Sequence, residues 1–468
     1  VRWGWAFIGG LCAHGLLAQA PTDSIRLGPD AVLNLLPNHP VFKASELLER
    51  ESGLIRMKAK GGFDPKLSYD LSTKNFDDKT YYRYEKLGLS VATWPGIDFK
   101  AEMKRSEGEY LNPEAFIPGP GNVELGADAN LLRGLVFDAR RTALAEARIV
   151  AQKNEAERLA LRNALVREAL SRYWNWSAAQ ARFDLFQQAE ANARVRFEAV
   201  KRSARSGQSA AIDTVEALGL LENRRMDLAK AELDRETARL LLEAHLWTPD
   251  SLPLRIDPAT LPIDLLERAP GLMPLDSLQT LLLSLDDRSP ELLKTRTEID
   301  KAQVRINQGY NDLLPEARLS YRWISPIDDA FNTETYNPGS NNYLGLGVEL
   351  PLFLRKERST LQFYQLERER AEWLLLEKRV AIANKALASR AALETYARNA
   401  ERAERNFGNY SLLLEAEVRK FSIGESSLFL VNSREISAIQ SGAKWIENLE
   451  LTALKELEML ELIGGLAR

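Results

Sequence analysis

Asp213 and Glu216 stand three residues apart in a stretch with helical periodicity. On a helix, residues three apart share one face. The pair therefore offers either a small acidic site or an ordinary solvated face. The other acidic pairs, Asp286-Asp287 and Asp328-Asp329, sit in turn-like contexts and read as solvated loops. The three histidines, His14, His39 and His245, form no ligand-spaced cluster, and the single cysteine, Cys12, excludes a disulfide framework or a cysteine-bound metal. The sequence has neither a phosphate-cradling glycine loop nor a nucleophile elbow. These residues point away from an enzyme, and no cofactor or metal is expected.

The 468 residues carry a net charge of −4, with 27% charged residues. That balance gives no reason to expect a nucleic-acid partner, which favours a basic patch. Residues 1–20 read as a signal peptide: Arg2 is followed by the apolar Trp3 to Leu17, then by the small-x-small site Ala18-Gln19-Ala20 and by Pro21. Leu11 precedes Cys12 where a lipid-anchor site needs a small residue, so simple cleavage after Ala20 is the expectation. Beyond Ala20 no apolar run approaches the ~20 residues of a membrane-spanning helix. A chain of this kind is either soluble or a β-barrel component, whose strands carry only a weak alternating signal.

Two segments repeat one plan. Residues 205–217 align with residues 422–434, so that Gly207 meets Gly424. A long helix is expected before each glycine, over 135–204 and 356–421, and a return helix after each, over 210–246 and 427–463. The first long stretch has no Pro or Gly, and only Gly408 interrupts the second. At 1.5 Å per residue each long helix spans roughly 100 Å. Lengths of this order point to coiled-coil packing, and the many Ala at seam positions allow close approach. Gly207 and Gly424 suit the left-handed residue that ends a helix, and Ser209 and Ser426 suit the following N-caps.

Strands are expected over about 65–132 and 315–351. Leu67, Tyr69 and Leu71 alternate with polar residues, as do Val123, Leu125, Ala127 and Ala129, and as do Ala317, Leu319, Tyr321 and Trp323. Leu344, Leu346 and Val348 alternate with Gly345, Gly347 and Glu349. Leu87, Leu89 and Val91 lead through Trp94-Pro95-Gly96 to Ile97, Phe99, Ala101 and Met103. Period-two alternation gives each strand one wet and one apolar face. In a lipid-embedded barrel the apolar face looks outward, and Tyr81, Tyr82, Tyr84 and Trp94 suit an interfacial belt. The same alternation fits a half-buried soluble sheet. The proline-rich connector, 248–290, is expected to hold short helices over Leu261–Glu267 and Leu275–Leu285.

Several short motifs fall at matching places in this plan. Asn38-His39-Pro40 leads to Ala44, and Ser289-Pro290-Glu291 opens the second half. Leu314-Pro315 enters a strand. Glu349-Leu350-Pro351-Leu352-Phe353 leaves one for the long helix, as Leu132-Arg133-Gly134-Leu135 does in the first half. Over nearly the whole chain after residue 20, the arrangement resembles the TolC family of outer-membrane efflux proteins.

The resemblance implies a mostly α fold with membrane β-strands, in two repeats, 21–247 and 291–468. Long antiparallel helices would form a periplasmic α-barrel. Three subunits would share one β-barrel in the bacterial outer membrane, with most of the mass in the periplasm. It implies a passive exit duct served by a periplasmic adaptor and an inner-membrane transporter, with outer-membrane lipid around the barrel. The tips, Ser206, Gly207, Gln208, Ile423, Gly424 and Glu425, would meet the adaptor. Aspartates that ring the entrance in well-known members fall here at Leu430 and Ser433, so that gate does not carry over. The same offsets in the first repeat give Asp213 and Glu216, and three copies would form an acidic, cation-favouring ring. The usual partners of the Asp213 position fall at Phe421 and Ser426, neither of them cationic. Family subunits usually contribute four strands, whereas six are counted here. The 84–104 hairpin therefore either enlarges the barrel from twelve strands to eighteen or folds outside its wall. The alternative to a duct is a periplasmic coiled-coil scaffold or adaptor.

Overall fold

A computed structural model describes residues 26–207, 210–267, 273–330 and 341–466. The expected leader, with Cys12 and His14, lies outside the described residues, as do Gln208 and Ser209. In chain order the elements are β1 (Arg26–Leu27), α1 (Pro29–Leu35), α2 (Pro40–Lys60), β2 (Lys66–Phe76), β3 (Lys79–Ala92), β4 (Ile97–Glu107) and β5 (Asn122–Asn130). Then follow α3 (Ala139–Arg205), α4 (Ala211–Glu243), β6 (Leu261–Pro262), α5 (Leu275–Leu283), α6 (Leu285–Arg288) and α7 (Pro290–Asp312). The chain closes with β7 (Glu316–Pro326), β8 (Asn342–Glu349), α8 (Arg355–Ser422) and α9 (Leu428–Leu462).

The helices α3 and α8 have 67 and 68 residues, so each is about 100 Å long. Each folds back on its partner, α3 on α4 and α8 on α9, while α3 also packs along α2, α7 and α9. Ala147, Ala156, Ala169, Ala178, Ala189 and Ala193 of α3 are buried, and these small side chains let the helices lie close. α3 begins four residues later than the sequence pattern implies. Gly134 takes a φ of +89°, and Asp138 caps the helix by accepting the Arg141 N–H at 2.8 Å. Residues 135–138 are thus a linker that the apolar pattern alone does not separate from the helix.

Pro40 and Pro290 stand at the first helical position of α2 and α7, where a missing N–H costs nothing. The connector differs from expectation. Leu261–Pro262 is not helical; it pairs in parallel with Arg26–Leu27. Pro262 fixes φ and would break the interior of a helix. The helix starting at Leu275 ends at Leu283, and a separate turn of helix follows from Leu285.

These connecting pieces close around the middle of α3. Tyr173 and Trp176 are fully buried there with Val32, Leu242, Leu246 and Leu265. The Tyr173 hydroxyl donates to the Leu27 carbonyl at 2.9 Å and accepts the Ile263 N–H at 3.0 Å, so one side chain ties β1 and β6 to α3. Burial pushes its pKa up to about 12.

Six strands form one antiparallel sheet in the order β2-β3-β4-β5-β7-β8. The 84–104 hairpin is therefore an integral part of the sheet. Asp77 and Asp78, both at positive φ, make the two-residue turn from β2 to β3. β5 leads into the N-terminus of α3 and β8 into that of α8, so the sheet lies at one end of the long helices and the tips lie at the other.

Candidate functional site

At the tips, α3 ends at Arg205, and Gly207 follows the C-cap Ser206 with a φ of +73°; α8 ends at Ser422, and Gly424 follows the C-cap Ile423 with a φ of +81°. A Cβ on either glycine would meet no described atom within 4 Å. The caps differ from expectation. Ser427, not Ser426, caps α9 by accepting the Leu430 N–H at 3.3 Å, whereas the Ser426 hydroxyl turns back to donate to Glu417. α4 starts from Ala210, which has no side-chain cap.

Just inside the tips, the two hairpins enclose a cleft of about 1360 Å³ lined by Arg196, Asp213, Phe421, Gly424, Ser426 and Glu435 among others. Asp213 is half-buried here. Glu216, one turn further, accepts a hydrogen bond from the Asn432 amide at 2.9 Å. Phe421 packs with Phe197 against Val200, Ala217 and Leu428, joining all four helices. Glu425 is exposed and Ile423 is 69% exposed.

A second set of residues, not singled out from the sequence, links the hairpins. Arg196 of α3 forms two hydrogen bonds to Glu435 of α9, at 2.8 and 3.1 Å, and a third to Asn432 at 3.2 Å. Arg224 of α4 lies 3.9 Å from Glu435, which is only 2% exposed. The sequence does hold a signal for this network. Val431, Asn432, Glu435, Ala438, Ile439 and Gly442 follow the three- and four-residue spacing of a buried seam, with two polar residues set among apolar and small ones. A buried charge needs a partner, and the facing hairpin supplies it.

At the opposite end, the sheet is inverted relative to a soluble one. Leu67 is 74% exposed and Leu346 66%, and on the same face Tyr69, Leu89, Phe99, Met103 and Leu344 are also exposed. The other face is charged and sheltered: Glu102, Asp128 and Arg322 side chains are 12%, 15% and 10% exposed. There the ion pairs run across the strands. Lys86 meets Glu102 at 3.0 Å, Lys104 meets Glu124 at 2.6 Å, and Asp128 is held by Lys100 at 2.7 Å and Arg322 at 2.6 Å. An exposed apolar face of this size is of the kind that lipid covers, and the opposite face holds its charges in pairs. The apolar face continues to the junction with the helices, where Trp94, Leu131, Val136, Leu352 and Phe353 are exposed. No described helix is long and apolar enough to cross a membrane.

The sequence profile of the outer membrane efflux protein family matches residues 90–246, the stretch from within β3 to the end of the first hairpin. Solved structures extend the likeness over nearly the whole chain. The fold is that of the outer-membrane efflux channels.

Among them, the MtrE outer membrane channel of Neisseria gonorrhoeae, solved in its open state, is 16% identical with a TM-score of 0.64, and the match covers 96% of this chain and 94% of that one. The CmeC outer membrane channel of Campylobacter jejuni is 11% identical with a TM-score of 0.63, over 99% and 94% of the two chains. The outer membrane protein VceC of Vibrio cholerae is 12% identical with a TM-score of 0.64, over 93% and 96%. No curated protein matches the sequence. The efflux-channel fold thus accounts for the sheet at one end, the two long hairpins and the belt around their middle.

Proposed function

We propose that the chain is the outer-membrane exit duct of a tripartite efflux or secretion system. Three copies close one β-barrel in the bacterial outer membrane and one helical tunnel in the periplasm, and substrates move through them without catalysis. The inverted sheet carries this reading. A face of exposed Leu, Tyr, Phe and Met backed by sheltered ion pairs has no role in a soluble periplasmic scaffold, and fits a wall between lipid and water. A single six-stranded sheet has two bare edges, which lipid does not tolerate, so closure requires further copies.

An inner-membrane transporter supplies the energy and a periplasmic adaptor meets the tips at Ser206, Gly207, Gln208, Ile423, Gly424 and Glu425. The free space around both tip glycines supports that assignment. Asp213 at the cleft and Glu216 one turn further, repeated three times, form an acidic ring at the entrance, with Phe421 packing the hairpins together. Membrane fractionation of a bacterium expressing the chain tests the reading. The protein is expected in the outer-membrane fraction, and a bifunctional cross-linker is expected to capture trimers there. A soluble monomer in the periplasmic fraction would return the scaffold reading.

A further inference from the structure

Nothing in the sheet separates the 84–104 hairpin from the wall. β4 pairs with β5 from Ile97↔Ala129 to Lys104↔Asn122, and β3 pairs with β4 along ten positions from Arg83↔Glu107 to Ala92↔Asp98. The outward row Leu67, Leu89, Ala101, Leu125 and Trp323 crosses five strands without interruption. The sheltered charged row crosses the same strands, tied by Lys86–Glu102 and Lys104–Glu124. Only the two edge strands differ. Every residue of β2 is exposed, and every residue of β8 but Gly345. Among the described residues both edges thus lack a neighbour, and because each copy holds six antiparallel strands, β8 of one copy and β2 of the next run antiparallel.

We propose that the barrel has eighteen strands, six from each of three copies, closed by a seam in which Lys66 of one copy faces Glu349 of the next. The inference rests on the trimeric duct proposed above and fixes how its wall closes. Lys66 and Glu349 are the periplasmic ends of their strands and lie on the polar face, so this register pairs opposite charges. It also sets Leu67 against Val348, Tyr69 against Leu346 and Leu71 against Leu344 on the lipid side, and Ser68 against Gly347 on the water side. A slip of one residue would bring apolar side chains to the wrong face.

Barrel geometry agrees independently. The line of directly opposed residues that starts at Lys66 runs through Ser90, Lys100, Gly126 and Arg322 to Tyr343. In the proposed seam Tyr343 meets Ser72 of the next copy, six residues above the starting Lys66. The stagger is then about six per subunit and about eighteen in all, equal to the strand number. That ratio is the one that gives a tilt of ≈ 36° in closed barrels, within the 35–45° of outer-membrane barrels. Diameter grows roughly linearly with strand number, so this barrel is about one and a half times as wide as a twelve-stranded one and in the size class that leaves an open aqueous channel.

Cysteine pairs across the seam test the inference in the full chain with Cys12→Ser. Leu67→Cys with Val348→Cys and Ser68→Cys with Gly347→Cys sample both kinds of antiparallel pair, each close enough for a disulfide. Within one copy, β2 and β8 are about five strand spacings apart, roughly 24 Å, so a bond forms only between copies. Oxidation in membranes is expected to move most of the protein from the monomer band to covalent dimers and trimers. Slipped pairs, Ser68→Cys with Gly345→Cys or with Glu349→Cys, are expected to link several-fold less. Dominant linking at a slipped pair overturns the register. Intact trimers with no seam cross-link, or a cryo-microscopy section with twelve strands, overturn the eighteen-stranded wall and leave the duct standing. Protein that forms no trimers overturns both.

Discussion

Arg196 on α3 and Glu435 on α9 meet in a two-pronged ion pair, 2.8 and 3.1 Å, that fastens one hairpin to the other above the tips. Glu435 is buried, with Arg224 beside it. Removing the carboxylate leaves the Arg196 and Arg224 cations without it in a sheltered place. Loss of one partner of such a pair typically costs about 3–5 kcal/mol, whereas replacing both with apolar groups is often neutral. Glu435→Ala is therefore expected to lower the thermal stability of the trimer and raise single-channel conductance as the tips splay. Arg196→Met with Glu435→Leu is expected to recover part of that stability, Arg224 keeping its ion pair with Asp227. Equal stability of Glu435→Ala and wild type would mean that the pair does not fasten the hairpins.

Gly424, with a φ of +81° and open space around it, sets a different test. A side chain there strains the backbone by about 1–2 kcal/mol, and its Cβ meets no described atom within 4 Å. Gly424→Val is expected to assemble and conduct normally but to abolish export in cells, because symmetry repeats the altered tip in every copy. Gly207→Val is expected to act in the same direction and more weakly. Normal export by the Gly424 variant would remove the tips as the docking site.

Asp213 and Glu216 share one face of α4 near the cleft. Like charges around a narrow mouth concentrate cations. Replacing both with Ala is expected to lower cation preference in planar bilayers. Unchanged selectivity would place both carboxylates against bulk water.

His39 stacks on His245, ring centroids 5.8 Å apart, where α2 meets the end of α4. Burial lowers the pKa of both rings; for His245 Glu168 opposes this, while His39 and Arg172 add to it. The unfolded rings take up protons from about pH 6.5 downward and the folded pair only at lower pH, so protons favour the unfolded state. The stabilisation is complete above about pH 6.5 and is lost as pH falls through the lowered folded values. The denaturation midpoint is expected to fall between pH 7.5 and 5. His39→Asn, which keeps an acceptor for the Val41 N–H, combined with His245→Phe is expected to flatten that slope. An unchanged slope would assign the acid sensitivity to other groups.

Much of this architecture is legible in the residues. Six alternating segments became six strands, because a sheet with one apolar and one charged face imposes period two on every strand. Stretches almost free of Pro and Gly became α3 and α8. What the pattern hides depends on single side chains and on tertiary partners. The start of α3 turns on Asp138 and on Gly134, whose N–H donates to Asn311 across 177 positions of sequence. Leu261–Pro262 reads as the start of a helix until β1 offers it an edge. Asn432 and Glu435 look like surface residues unless their seam spacing is weighed against the arginine opposite. The pairing of Lys100, Glu102 and Lys104 likewise needs the strand register.

The central claim, a passive water-filled duct through the outer membrane, is tested most directly by purified protein in a planar lipid bilayer without nucleotide or partner. Stable, stepwise conductance is expected, unchanged by added ATP and lost when the trimer is dissociated by heat. Repeated incorporation of intact trimers with no conductance would contradict it.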